Sequence, residues 1–191
     1  MKSVYTPKIA SIIKRGGVGV LPTDTFYGIV GSARIPQAVE RIYALRKRDR
    51  KKPCIILIPS LNSLEEFGIY TSDARKKTLQ KLWPGPISVI FPCGSKKYQY
   101  LHRGKKTLAF RIPRKVDLRK LLQRTGPLVA PSANIAGKPP ARSLSQAKAY
   151  FKSSLDFYVA GEKQKSQHST LILFKGRNIE IKRKGAGQMP H

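Results

Sequence analysis

The stretch Arg46-Lys47-Arg48-Asp49-Arg50-Lys51-Lys52-Pro53 runs directly into Cys54-Ile55-Ile56-Leu57-Ile58. Six of its first seven residues are cationic, and Pro53 stops any helix from passing through, so the short apolar run behind it reads as a buried strand over 54–58. Upstream, Pro36 opens a segment whose apolar positions Val39, Ile42, Tyr43 and Leu45 read as one helix face. Cations at that helix's C-terminal end suit its dipole. Helix, basic turn and buried strand in this order make an α/β unit that holds an anion clamp at the mouth of a strand.

On either side of this unit the same alternation continues. Residues 7–15 read as a helix stopped by Gly16-Gly17, followed by strands at Val18 to Leu21 and near Phe26 to Val30. Helical patterns at 61–67 and from Ser72 to Leu82 end at Trp83-Pro84-Gly85-Pro86. Strands at Ile87 to Phe91 and Thr107 to Ile112, a helix from Val116 to Arg124, a strand at Leu128 to Ala130 and a helix near Ser145 to Phe151 come next, and strand-like alternation at Phe157 to Val159, Thr170 to Phe174 and Ile179 to Arg183 closes the chain. The pattern predicts an open, partly parallel α/β sheet with flanking helices, in a single domain over 1–191.

No apolar run approaches a bilayer span, and Met1-Lys2-Ser3-Val4-Tyr5 lacks a secretory core, so no membrane partner is expected and the cytoplasm is the expected compartment. Cys54 and Cys93 read as small buried hydrophobes, and His102, His168 and His191 have no ligand spacing, so no resident metal is expected. The 10 Asp and Glu form no acid/base dyad, which disfavours a paired-carboxylate hydrolase. Against them stand 38 Lys and Arg, a formal +28. One reading is a uniformly basic surface; the sharper one is contact with tRNA or another RNA, with Arg75, Lys76, Lys77 and Lys81 forming a cationic helix face.

Two polar turns flank the basic stretch: Leu21-Pro22-Thr23-Asp24-Thr25-Phe26-Tyr27-Gly28 and Ala130-Pro131-Ser132-Ala133-Asn134. With Arg46-x-Arg48, Lys52-Pro53, Trp83-Pro84-Gly85-Pro86, Ala109-Phe110-Arg111-Ile112-Pro113 and Ser169-Thr170, they resemble, in order, the motifs of the YrdC-like family of threonylcarbamoyl-AMP synthases, over about residues 8–185. The resemblance implies a YrdC-like open twisted mixed sheet with a concave basic pocket. It further implies that L-threonine, bicarbonate or CO2 and ATP become threonylcarbamoyl-adenylate and pyrophosphate, the first step of the tRNA modification t6A, with a downstream tRNA threonylcarbamoyl-transferase complex as partner. Mg2+ would arrive carried by the ATP phosphates.

Carried over residue by residue, the resemblance makes Arg46 and Arg48 catalytic and ATP-binding, with Arg50, Lys52, Thr107, Ser132, Asn134 and Arg183 also at the nucleotide. Thr23, Arg111, Ala130 and Ser169 fall at the L-threonine. Thr107 and Arg111 are four residues apart, so a regular pleat puts them on one side of a strand, and a guanidinium suits a carboxylate through two parallel hydrogen bonds. The alternative for Arg111 is an exposed strand arginine paired with Asp117. Arg46 stands where the family usually has lysine, and the polar segment Lys163 to Ser169 is the candidate lid. Two other readings remain: a non-catalytic RNA-binding module of the same fold, and a carbamoyl-transfer domain of a larger protein.

Overall fold

The computed structural model describes residues 5–162, 167–176 and 178–189. The elements are α1 (Pro7–Lys14), β1 (Gly19–Pro22), β2 (Tyr27–Ser32), α2 (Pro36–Arg46), β3 (Ile55–Leu57), α3 (Asp73–Leu82), β4 (Ile87–Pro92), α4 (Gln99–His102), β5 (Thr107–Arg111), α5 (Val116–Thr125), β6 (Leu128–Val129), α6 (Leu144–Phe151), β7 (Phe157–Tyr158), β8 (Thr170–Lys175) and β9 (Asn178–Arg183). The nine strands form one open sheet in the order β7-β1-β2-β6-β3-β5-β4-β8-β9. It is mixed: β1 with β7, β3 with β5 and β4 with β8 are parallel, and the other neighbours are antiparallel.

Strand alternation divides the core between the two faces of the sheet. Val20, Ile29, Ile56, Val89 and Phe110 join the larger apolar cluster, to which α2, α3 and α6 contribute. Their neighbours Leu21, Val30, Leu57 and Leu128 face the other way, onto Ala10 and Ile13 of α1 and Leu118, Leu121 and Leu122 of α5. These two helices cover only one end of the second face, so the part floored by β3, β5, β4 and β8 stays open. That gap is where a ligand can enter.

Local signals explain the helix ends. The Thr6 and Ser72 hydroxyls accept from the N–H groups of Ile9 and Arg75 and cap α1 and α3. Residues 61–67, read as helical from sequence, form a 3-10 helix, and α4 arises where the sequence reading placed nothing. On α2 the buried positions are Ala38, Val39, Ile42, Tyr43 and Arg46. Leu45, assigned to that face from sequence, is only half-buried, and the helical period puts Arg46 inward in its place. Both cysteines are buried and free, and among the described residues no helix is long and apolar enough to cross a membrane.

Candidate active site

The open part of the sheet holds a cavity of about 470 Å³. Its floor is apolar, with Ile55, Ile90, Ala109 and Leu171, and its rim carries the cations Arg48, Lys105, Arg111 and Arg183. Among the described residues no carboxylate lines it. The cations disturb one another. Burial, then the neighbouring Arg111 and Arg48, pull the Arg183 guanidinium below its ordinary value, and burial, then Arg183 and Arg46, pull down the His168 imidazole. Like charges held this close define a place where a bound anion relieves repulsion.

One end is built from the first polar turn. Arg111 is 3% exposed. Its Nη2 lies 3.3 Å from Asp24 Oδ1 and its Nη1 donates to Thr25 Oγ1 at 3.3 Å, so the partner is Asp24 and not Asp117. Burial lowers the Arg111 pKa and Asp24 opposes that shift. Asp24 is itself fixed, its Oδ2 accepting from the Arg114 N–H at 3.1 Å. Thr23 Oγ1 donates to Phe26 O at 2.6 Å and accepts from the Thr25 N–H at 3.1 Å, which turns the chain into the cavity. Arg111 Nε keeps a buried donor with no hydrogen-bond partner.

The adjoining wall joins β8 and β9. Ser169 Oγ lies 2.9 Å from Ser88 Oγ, and Arg183 Nη2 donates to Ser169 O at 2.9 Å. A Cβ on Gly185 would fall 2.1 Å from His168 O, so glycine is required for the strand end to close against residues 168–169. The His168 ring stands edge-on to Phe26 with centroids 4.9 Å apart.

The basic stretch divides. Lys47 adopts a left-handed conformation (φ 49°) at the end of α2, so the residues on either side of it point to different places. Arg46 turns into the core, donating from Nε to Asn134 O at 3.0 Å and from Nη2 to Asn134 Oδ1 at 2.8 Å. Burial, with repulsion from Arg48 added, pushes its pKa down to about 10. Arg48 turns into the cavity, its Nε and Nη2 held at 3.0 Å by the carbonyls of Lys52 and Pro53. Arg50 and Lys52 face outward, pairing with Glu40 at 3.5 Å and Asp49 at 3.9 Å.

Of the residues singled out from sequence, Thr23, Arg48, Thr107, Arg111, Ala130, Ser132, Ser169 and Arg183 line the cavity. Arg46, Arg50, Lys52 and Asn134 do not. Asn134 is engaged inside its own loop, its Oδ1 accepting from Ser132 Oγ at 2.7 Å and its Nδ2 donating to Lys138 O at 2.7 Å. Ala130 donates its N–H to Ile55 O at 2.9 Å, which leaves its carbonyl as the group to offer. The expected lid reaches into residues 163–166, which lie outside the described residues. Sequence reading missed Thr25, Ser88, Lys105 and His168. A hydroxyl two residues from Thr23, and a serine between the strand apolars Ile87 and Val89, were the available signals.

The profile of the Sua5/YciO/YrdC family, described as telomere recombination, matches residues 11–185. A threonylcarbamoyl-AMP synthase of Hahella chejuensis is 29% identical over 165 residues, 85% of this chain and 89% of the relative. One of Pyrococcus abyssi is 30% identical over 165 residues, again 85% of this chain but 48% of the relative, so this chain spans about half of that protein's length. The crystal structure of P. abyssi Sua5 complexed with L-threonine superposes with a TM-score of 0.84 at 29% identity, covering 92% of this chain and 52% of that one.

Proposed function

This chain belongs to the Sua5/YciO/YrdC family, and from that membership we propose that it makes L-threonylcarbamoyl-adenylate from L-threonine, bicarbonate or CO2, and ATP. The threonine amine, once deprotonated, adds to the carbon of CO2 and gives a carbamate. A carbamate oxygen then attacks the α-phosphorus of ATP, and the bond to the β,γ-phosphates breaks with release of pyrophosphate. Every participant in the second step is an anion. The observation that carries the reading is the cation-rimmed cavity, lined by no described carboxylate, in which Arg111 and Arg48 crowd the Arg183 guanidinium.

Within it we assign the threonine to the Thr23, Arg111, Ala130 and Ser169 end. Arg111 would hold the carboxylate through its unpartnered Nε, while Asp24 holds the other edge of the fork. Arg48, Arg183, Thr107 and Ser132 are assigned to the nucleotide, with stabilisation of charge on phosphate oxygens as the main catalytic contribution. Arg46 and Asn134 would act through the loop that presents Ser132. Mg2+ is read as arriving with the triphosphate; among the described residues no group of three or more His, Cys, Asp or Glu could hold a metal. The downstream transferase complex and delivery of the product to tRNA follow from the same reading.

The test is product identity. Incubation with ATP, L-threonine and 13C-bicarbonate should give threonylcarbamoyl-adenylate heavier by one mass unit per molecule than the product from unlabelled bicarbonate. Consumption of ATP to AMP with no labelled adduct would overturn the reading.

A further inference from the structure

Beneath the threonine end of the cavity lies a second serine, Ser88, which does not itself line it. Ser88 stands on β4, fully buried, with its Oγ 2.9 Å from Ser169 Oγ. It pairs with Leu171 of β8 and stands two residues from Ile90, both of which line the cavity, so its side chain rises on the same face of the sheet. On its other side Val89 pairs with Phe110 of β5, and that register carried one residue on sets Ser88 beside Arg111. Ser88 is therefore the floor between Arg111 and Ser169, the two side chains assigned to one end of L-threonine.

A hydroxyl has one proton to give and two lone pairs with which to accept. Ser88 lies between the buried Ile87 and Val89, where a hydroxyl that gave its proton to nothing would bear the full cost of desolvation. Among the described residues its one hydrogen-bond partner is Ser169 Oγ, so its proton goes there. Arg183 Nη2 also donates to Ser169 Oγ, at 3.3 Å, while donating to Ser169 O at 2.9 Å. Ser169 Oγ thus accepts twice. With both lone pairs taken, its own proton turns away from Ser88 and Arg183, into the cavity that Ser169 lines. There it joins Arg111 Nε, the buried donor with no hydrogen-bond partner.

We propose that Ser88 is a positioning residue that fixes the direction of the Ser169 proton and makes Ser169 an obligate donor to the carboxylate of the amino-acid substrate. The proposal deepens the threonine assignment and rests on it. Two donors at one end of a cavity lined by no described carboxylate suit a group that only accepts hydrogen bonds, and an ionised carboxylate is such a group. Ser88 contributes by holding a rotor that would otherwise be ordered at the expense of binding. Of the two bonds to Ser169 Oγ, that of Ser88 is the shorter, so it sets the orientation more firmly than Arg183 does. In the opposite wiring Ser169 would spend its proton on Ser88 and leave the Ser88 proton buried and unmet.

The experiment is a set of thermal melts at increasing L-threonine, which report weak affinity as well as tight, on wild type, Ser88→Ala, Ser169→Ala and the double variant. Ser88→Ala should bind L-threonine about fivefold more weakly, while affinity for ATP, titrated the same way, changes by less than about twofold. In the Ser169→Ala background the same substitution should change L-threonine affinity by less than about twofold, because Ser88 acts through Ser169. Unchanged or tighter L-threonine binding in Ser88→Ala would mean that the Ser169 proton runs toward Ser88, and would overturn the proposal. So would an equal loss in both backgrounds, which would make Ser88 a packing residue, or absence of L-threonine binding by wild type. Pyrophosphate release by the same wild-type preparation reports the adenylation reading separately, so failure of either can be recognised.

Discussion

Replacing Asp24 by asparagine isolates the charge that neutralises Arg111. The amide oxygen can still accept from the Arg114 N–H, so the 3.1 Å backbone contact survives, and only the anion 3.3 Å from Arg111 Nη2 is lost. Arg111 is then a guanidinium with a 4% exposed side chain beside Arg183, with Thr25 as its remaining partner. Breaking a buried ion pair by removing one member costs about 3–5 kcal/mol. The cavity beside Arg111 admits water, so the lower end applies, about 3 kcal/mol. For a chain of this size each kcal/mol is worth about 2–4 °C, and the melting temperature should fall by about 6–12 °C. The double variant Asp24→Asn/Arg111→Met removes the stranded charge and should recover most of that loss, while its KM for L-threonine stays high. Thermal melts of wild type, both single variants and the double complete the cycle. A loss below about 1 kcal/mol for Asp24→Asn, or no recovery in the double variant, would refute the view that this pair is coupled and buried.

Arg183→Gln should raise the KM for ATP roughly thirtyfold, the equivalent of about 2 kcal/mol for one charge-assisted phosphate contact, with little change for threonine; equal effects on both substrates in steady-state kinetics would refute the assignment. Arg46→Ala should cost about 2 kcal/mol by leaving Asn134 O and Oδ1 without this donor, and Arg46→Lys, keeping the charge with one ammonium, should cost less; denaturant melts measure both. His168 is held below its ordinary pKa by burial and by the nearby arginines. The unfolded chain therefore takes up that proton first as pH falls through about 6.5, so stability should drop on acidification, His168→Gln should remove part of the drop, and saturating ATP should lessen it in melts from about pH 7.5 to 5.

The fold was legible because its strands are short apolar runs cut by Pro and Gly, and period alone separates 3.6 from 2. What escaped was α4, a four-residue helix held by burial of Leu101 and His102 with no amphipathic repeat to announce it. The site was half legible. Thr23, Arg48 and Arg111 were visible because they sit in motifs bounded by strands and turns. Arg46 and Arg48 looked equivalent in the sequence. They separate only because Lys47, a residue with no special tolerance for positive φ, turns left-handed at the helix end. The spacing of Ile42, Tyr43 and Arg46 already carried the warning, since a residue three and four positions beyond two buried ones shares their face. Lys105 and His168 could not be read locally, because each reaches the cavity through a loop whose path depends on distant strands. Arg50 and Lys52, grouped with the clamp by adjacency, lie beyond the turn and face solvent.

In the proposed reaction one cation-rimmed cavity receives a carbamate made from threonine and joins it to ATP. Pyrophosphate release, followed continuously with and without each component, tests it most directly. Release is expected only when L-threonine, bicarbonate and ATP are present together, and it should be lost in Arg183→Gln at subsaturating ATP. Release at the same rate without threonine or without bicarbonate, or none with all three present, would contradict it.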